Sequence, residues 1–136
     1  MAHAGQVIHG QGGFRLRLVQ TGAETGGELL EMEATYGGGG SLPPEHLHPR
    51  QVERFEVLEG AVRAIVGGEE RRYETGDTFE IDAGTRHTMT GHGPARLRWE
   101  VRPALRTAEF FERLHGGGIT DGAAFLVEFS EEFRLA

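Results

Sequence analysis

Between His46 and Gly60 the chain runs HLHPRQVERFEVLEG. Two histidines stand one residue apart, and residues two apart on an extended chain point to the same side. Pro49 bends the path. Then Glu53, Phe55 and Val57 fall on one side, with Arg54, Glu56 and Leu58 on the other. A period of two marks a strand with one buried and one wet face. Glu53 therefore sits on the apolar side, where an unpaired carboxylate is costly. His46 and His48, aimed together just upstream, give it partners through a shared cation.

The same alternation recurs on both sides of this stretch. In FRLRLV, Phe14, Leu16 and Leu18 alternate with Arg15 and Arg17. In LLEMEATY, Leu30, Met32, Ala34 and Tyr36 share one face. AVRAIVGGEERRYETGDTFEI reads as a hairpin turning at Gly67-Gly68, a sharp Gly76-Asp77 turn, and another strand. In ARLRWEVR, Ala95, Leu97, Trp99 and Val101 face in while Arg96, Arg98, Glu100 and Arg102 face out. Strict alternation with acids nearby makes these arginines a solvated outer face rather than a nucleic-acid groove. The chain has 22 glycines, more than double the ordinary share of about 7%. They punctuate short strands, which is the pattern of an all-β barrel or sandwich.

The 136 residues predict one domain, with a motif-bearing barrel over about 30–101 and a helical extension over about 104–136. After Pro103 the period lengthens. TAEFFERLHGGG predicts a short helix capped by Thr107, and Phe125, Phe129 and Phe133 form an apolar stripe at a spacing of four behind an Asp121 cap. There is no cysteine, which excludes disulfides and thiolate zinc sites. A net charge of −7 disfavours phosphate backbones and anionic lipid, so neither nucleic acid nor membrane is expected as a partner. Neither a signal peptide nor a membrane-spanning stretch is evident, and a cytoplasmic location is the expectation.

A third histidine, His87, follows the turn at Gly84-Thr85-Arg86 and opens a strand beside Met89. Three imidazoles and a carboxylate inside an apolar barrel favour a divalent cation, since each offers a lone pair and the acid offsets charge. The other histidines, His3, His9, His92 and His115, read as surface or ordinary hydrogen-bonded residues.

Spelled out, the frame is Gly40-x5-His46-x-His48-x4-Glu53-x6-Gly60, then Gly76-x5-Asp82-x-Gly84-x2-His87-x3-Gly91. It resembles the paired motifs of the cupin family, G-x5-H-x-H-x(3,4)-E-x6-G and G-x5-P-x-G-x2-H-x3-N. Asp82 stands for the proline and Gly91 for the asparagine; an aspartate can build its own turn by bonding backbone amides. The short gap between motifs is similar to that of compact, single-domain bacterial cupins. The resemblance implies a double-stranded β-helix, or jelly roll, with short C-terminal helices packed outside. It implies His46, His48, Glu53 and His87 as ligands of one divalent transition metal per chain: Fe, Mn, Ni, Zn, Co or Cu.

The expected function is a metal-dependent enzyme of the oxygenase type, acting on a small, largely apolar or aromatic oxygen-bearing molecule. Glu53 is a candidate proton shuttle. A Lewis-acid isomerase or epimerase is an alternative, as is a non-catalytic sensor keeping the metal as a clip. Met32, Tyr36, Phe55, Val57, Phe79, Met89, Leu97 and Trp99 are the expected pocket lining, and of the two tyrosines only Tyr36 looks inward. Arg50 and Arg86 are placed to grip an anionic group at the mouth, and the glycine run 37–40 to form a rim. Leu58 and Ile65, apolar on wet faces, mark a homodimer contact.

Overall fold

The computed structural model describes residues 2–39 and 41–136. Gly40, which opens the first motif and ends the glycine run, lies outside the described residues. The elements in order are β1 (Val7–His9), β2 (Arg15–Gln20), the one-turn helix α1 (Gly22–Thr25), β3 (Leu30–Tyr36), β4 (His46–Leu47) and β5 (Val52–Glu59). Then follow β6 (Ala61–Val66), β7 (Glu69–Glu74), β8 (Thr78–Ile81), β9 (His87–Gly91), β10 (Ala95–Arg102), α2 (Thr107–Gly116), α3 (Gly122–Glu128) and β11 (Arg134–Leu135).

The strands form two antiparallel sheets, ordered β1-β2-β3-β10-β5-β8 and β11-β4-β9-β6-β7. Strand alternation explains which residues meet inside. On β10, Leu97 lies between Ala34 and Val57, and Trp99 between Met32 and Phe55. All of these are buried, and they form one continuous core with Leu16, Leu18, Leu30 and Val101. The opposite faces carry the charges. Arg17 pairs with Glu33 at 3.2 Å, Arg98 with Glu56 at 3.2 Å and Arg96 with Glu59 at 3.0 Å. Each exposed pair contributes little, but cross-strand pairing of opposite signs keeps the outer face wet and in register. The β6–β7 hairpin turns on Gly67 and Gly68, whose φ values of 58° and 84° suit a two-residue loop that most side chains would strain.

The C-terminal third departs from the sequence-based expectation in two places. Thr107 is not the cap of α2 but its first helical residue; Arg106 precedes it with no side-chain capping bond. The Thr107 hydroxyl is buried and accepts a hydrogen bond from Gln51 Nε2 at 2.7 Å, so its oxygen is committed to the barrel. Asp121 does cap α3, accepting from the Ala124 amide at 3.0 Å. That helix ends at Glu128, however, and the last residues turn back to add β11 beside β4. Phe125, Phe129 and Phe133 still pack together. Phe110 stacks on Phe125 at 5.2 Å and on Phe133 at 4.8 Å, while Phe111 meets Trp99 edge-on at 5.3 Å. The helices are thus joined to the barrel by rings.

Candidate metal centre

Three elements bring the functional side chains together. Strand β4 carries His46, with His48 just beyond it; β9 opens with His87, directly paired with His46; β5 carries Glu53 on its inward face. Donor nitrogens of the three histidines all lie within 4.8 Å of one another, so the group can hold a metal ion. Glu53 Oε1 reaches His87 Nε2 at 3.0 Å and His48 Nε2 at 3.2 Å. Donors this near one another could share one cation.

Backbone carbonyls set the tautomer of every ring. His46 Nδ1 donates to the Pro44 carbonyl at 3.1 Å, His87 Nδ1 to Thr85 at 2.8 Å, and His48 Nδ1 to Glu132 at 2.7 Å. A carbonyl only accepts, so the ring proton stays on Nδ1 and each Nε2 presents a lone pair. His48 Nε2 and Glu53 Oε1 are both buried and neither has a hydrogen-bond partner among the described residues. Two acceptors facing each other in a dry interior repel unless a cation or a proton lies between them. A divalent ion fits this arrangement.

Glu53 is held from behind as well. The Trp99 indole N–H donates to its second oxygen, Oε2, at 2.8 Å. Nothing in the sequence motifs marks this bond, although parity placed both residues on the inner face.

A model of the Cupin domain matches residues 32–101, about half of the chain, and takes in His46, His48, Glu53 and His87. The chain belongs to the cupin family. A curated relative, the tetracenomycin polyketide synthase protein TcmJ of Streptomyces glaucescens, is 30% identical over 99 residues, covering 70% of this cupin. The match spans 64% of that relative's length. Among solved structures, an RmlC-like cupin from Shewanella frigidimarina superposes with a TM-score of 0.65 at 20% identity, covering 75% of this chain and 86% of that one. KdgF from Halomonas sp. gives 0.62 at 21%, covering 72% and 86%. At such identities the likeness speaks for the fold alone.

Charge within this cupin's site follows from burial and contact. Burial disfavours a charged Glu53, but the neighbouring His48 and His87 outweigh it. The carboxyl is held well below its usual range. For His48, burial again opposes the charge, while the Glu53 carboxylate and the Glu132 carbonyl favour it more, and its pKa rises. His46 goes the other way. Burial dominates and lowers it to about 4, despite the bond to Pro44.

The expected lining residues divide by depth. Met32, Phe55, Val57 and Leu97 are fully buried members of the packed core, with Met89 and Trp99 nearly so. Phe79 is half-buried against Phe55 at 4.9 Å. Tyr36 is half-exposed as a residue, but its hydroxyl is turned inward. Burial, then the field of Glu53, raises its pKa, so it stays a neutral donor. Tyr73, expected to look outward, stacks on Phe79 at 3.8 Å and packs on the core. Arg50 and Arg86 are exposed, paired with Glu131 at 3.2 Å and Glu45 at 3.5 Å.

Both departures from the family pattern have a local account. The Asp82 turn is closed by the main chain, the Thr85 amide donating to the Asp82 carbonyl at 3.1 Å, rather than by the aspartate side chain. Next to it, the Gly84 amide donates to the His48 carbonyl at 2.9 Å and ties the two motifs together. At Gly91 there is no room for any side chain. A Cβ there would stand 2.8 Å from the Tyr36 Cβ and 2.6 Å from the Gly93 carbonyl oxygen.

Proposed function

We propose that this cupin holds one divalent transition ion on His46, His48, Glu53 and His87, and acts as an oxygenase-type enzyme on a small, aromatic or apolar, oxygen-bearing molecule. One observation carries the metal assignment: His48 Nε2 and Glu53 Oε1 face each other, buried and without hydrogen-bond partners. When bound, an ion in such a ligand set supplies Lewis acidity and, if redox-active, a route for electrons to O2. Four protein donors leave room on a six-coordinate ion for a chelating substrate.

The chain's own residues would divide the remaining work. Trp99 keeps Glu53 Oε2 occupied, so Oε1 is the oxygen left to face the ion. That grip favours a holding role for Glu53 over service as a proton shuttle. Tyr36, a neutral hydroxyl turned inward, would donate to a substrate oxygen. The name of TcmJ, a polyketide synthase protein, supports a polyketide as the substrate class.

A second reading has an observation of its own. Met32, Phe55, Val57 and Leu97 fill the interior, which suits a binding module with a structural ion. Lewis-acid isomerisation would use the same donors without O2. The test is oxygen uptake by the Fe(II)-loaded protein over a panel of phenols and diketones, after elemental analysis of the protein as purified. About one metal per chain and uptake with one compound class are expected. Full metal occupancy in a His46→Ala/His48→Ala variant would refute the site; tight binding without turnover for every metal would favour the module. A homodimer through Leu58 and Ile65, both half-buried in the chain, is part of the proposal, and a monomer mass in solution would remove it.

A further inference from the structure

We infer that the C-terminal segment from Ser130 to Leu135 is a strap that builds the metal site, with the Glu132 carbonyl and the Phe133 ring acting as positioning groups for His48 and His46. The inference rests on the metal assignment proposed above and extends it to residues outside the matched Cupin domain.

Several independent contacts carry it. The Glu132 carbonyl accepts the Nδ1 proton of His48 at 2.7 Å, across 84 residues of sequence, and so presents Nε2 to the site. Phe133 stacks on His46 with centroids 4.8 Å apart and planes 23° apart, and meets His48 edge-on at 6.1 Å. Strand β11 pairs Leu135 with His46 itself, and the Ala136 amide donates to the Glu45 carbonyl at 3.0 Å. The root of the strap is fastened too. The buried Glu132 carboxylate accepts from the Arg106 amide at 3.2 Å, and Phe133 stacks on Phe110 of α2. Two of the three histidines are therefore oriented by Glu132 and Phe133, which the two-residue β11 holds in place. Such a short strand has little stability of its own.

The thermodynamic consequence is reciprocal. If docking the strap orients His48 and His46, it tightens metal binding. Metal binding must then hold the strap down by the same factor. The pairing tells a building role apart from mere covering, because an inert cover would feel nothing from the ion.

The test uses the full chain and Co2+ alone as probe. Affinity is measured by chelator competition, and the visible Co2+ spectrum reports ligand geometry. Phe133→Ala is expected to weaken Co2+ binding about 10- to 100-fold, the usual effect of losing a group that orients a ligand, and to change the spectrum. Phe133→Tyr, which keeps the ring face, should restore both, and Val127→Ala, on an exposed helix position, should change neither. Hydrogen exchange of the unmodified chain supplies a readout that needs no variant to fold: the Ala136 amide should exchange more slowly once Co2+ is added. Unchanged affinity and spectrum in Phe133→Ala, or equal Ala136 exchange with and without Co2+ in a chain that binds it, overturns the strap. No binding of Co2+, Zn2+ or Fe2+ by the unmodified chain overturns the metal assignment, and the strap with it.

Discussion

The two walls of the barrel are built differently. The six-stranded wall holds Glu53 on β5, an eight-residue strand flanked by β10 along most of its length. The facing wall holds the histidines on the two-residue β4, on the chain just past it, and at the first residue of β9. The acid is fixed by a long ladder and a packed core. The imidazoles are fixed by single carbonyls from Pro44, Thr85 and Glu132. The acid is thus positioned by extended packing in one wall, and the imidazole geometry is set by single contacts in the other.

The sharpest way to break this contrast is to hollow out the first wall. Leu97 is wholly buried between Ala34 and Val57, and Leu97→Ala should cost about 2–5 kcal/mol in a denaturant titration. The protein that remains folded should bind as much metal as before. A smaller effect, on both stability and the site, is expected for Trp99→Phe. It leaves a buried Glu53 oxygen without its donor, worth about 1–3 kcal/mol, and metal affinity should fall as well. A change in stability with metal binding untouched would mean that the Trp99 bond serves the core and not the site.

Acid should sharpen the contrast in the metal-free protein. His46 titrates near 4 when folded, below its ordinary 6.5. Between those values the unfolded chain takes up a proton that the folded one refuses, so this group makes stability rise with pH. Glu53, with its pKa depressed, acts in the same sense as acid is added. His48 opposes them. Its raised pKa contributes stability at low pH that is lost as pH climbs through the folded value. Replacing His46 by Gln should flatten the slope between about pH 4 and 6.5 in thermal melts; an unchanged slope would mean His46 is solvated. Smallest of all is Arg50→Ala. It removes an exposed pair with Glu131, and should shift stability by less than about 1 kcal/mol with no change in metal content.

The first wall was far more legible in the sequence than the second. Alternation in LEMEATY and ARLRWEVR gives both strands and their inward faces, because every second side chain is apolar and the sheet period is two. The same parity turned Glu53 inward. The cupin spacing brought His46, His48 and His87 to one place. The carbonyl of Glu132 was invisible, because a backbone acceptor has no side-chain identity and its partner is 84 residues away. Phe133 misled by its spacing. Four residues after Phe129 reads as one more helical turn, but the helix stops at Glu128 and the ring lands on His46 instead. Strands β1 and β11 were missed for a simpler reason: two or three residues are too few for a period to show.

The crowding of Tyr36 against Gly91 has a consequence for how this chain can be re-engineered or can drift. Restoring the asparagine usual in the family is closed as a single step, since the newcomer would collide with a tyrosine already in place. A smaller residue at 36 does not open the way, because the tightest contacts are to the Gly93 carbonyl oxygen and to the Tyr36 Cβ, which every residue but glycine keeps. Glycine at 91 is therefore held by the main chain around it, whatever ring stands at 36.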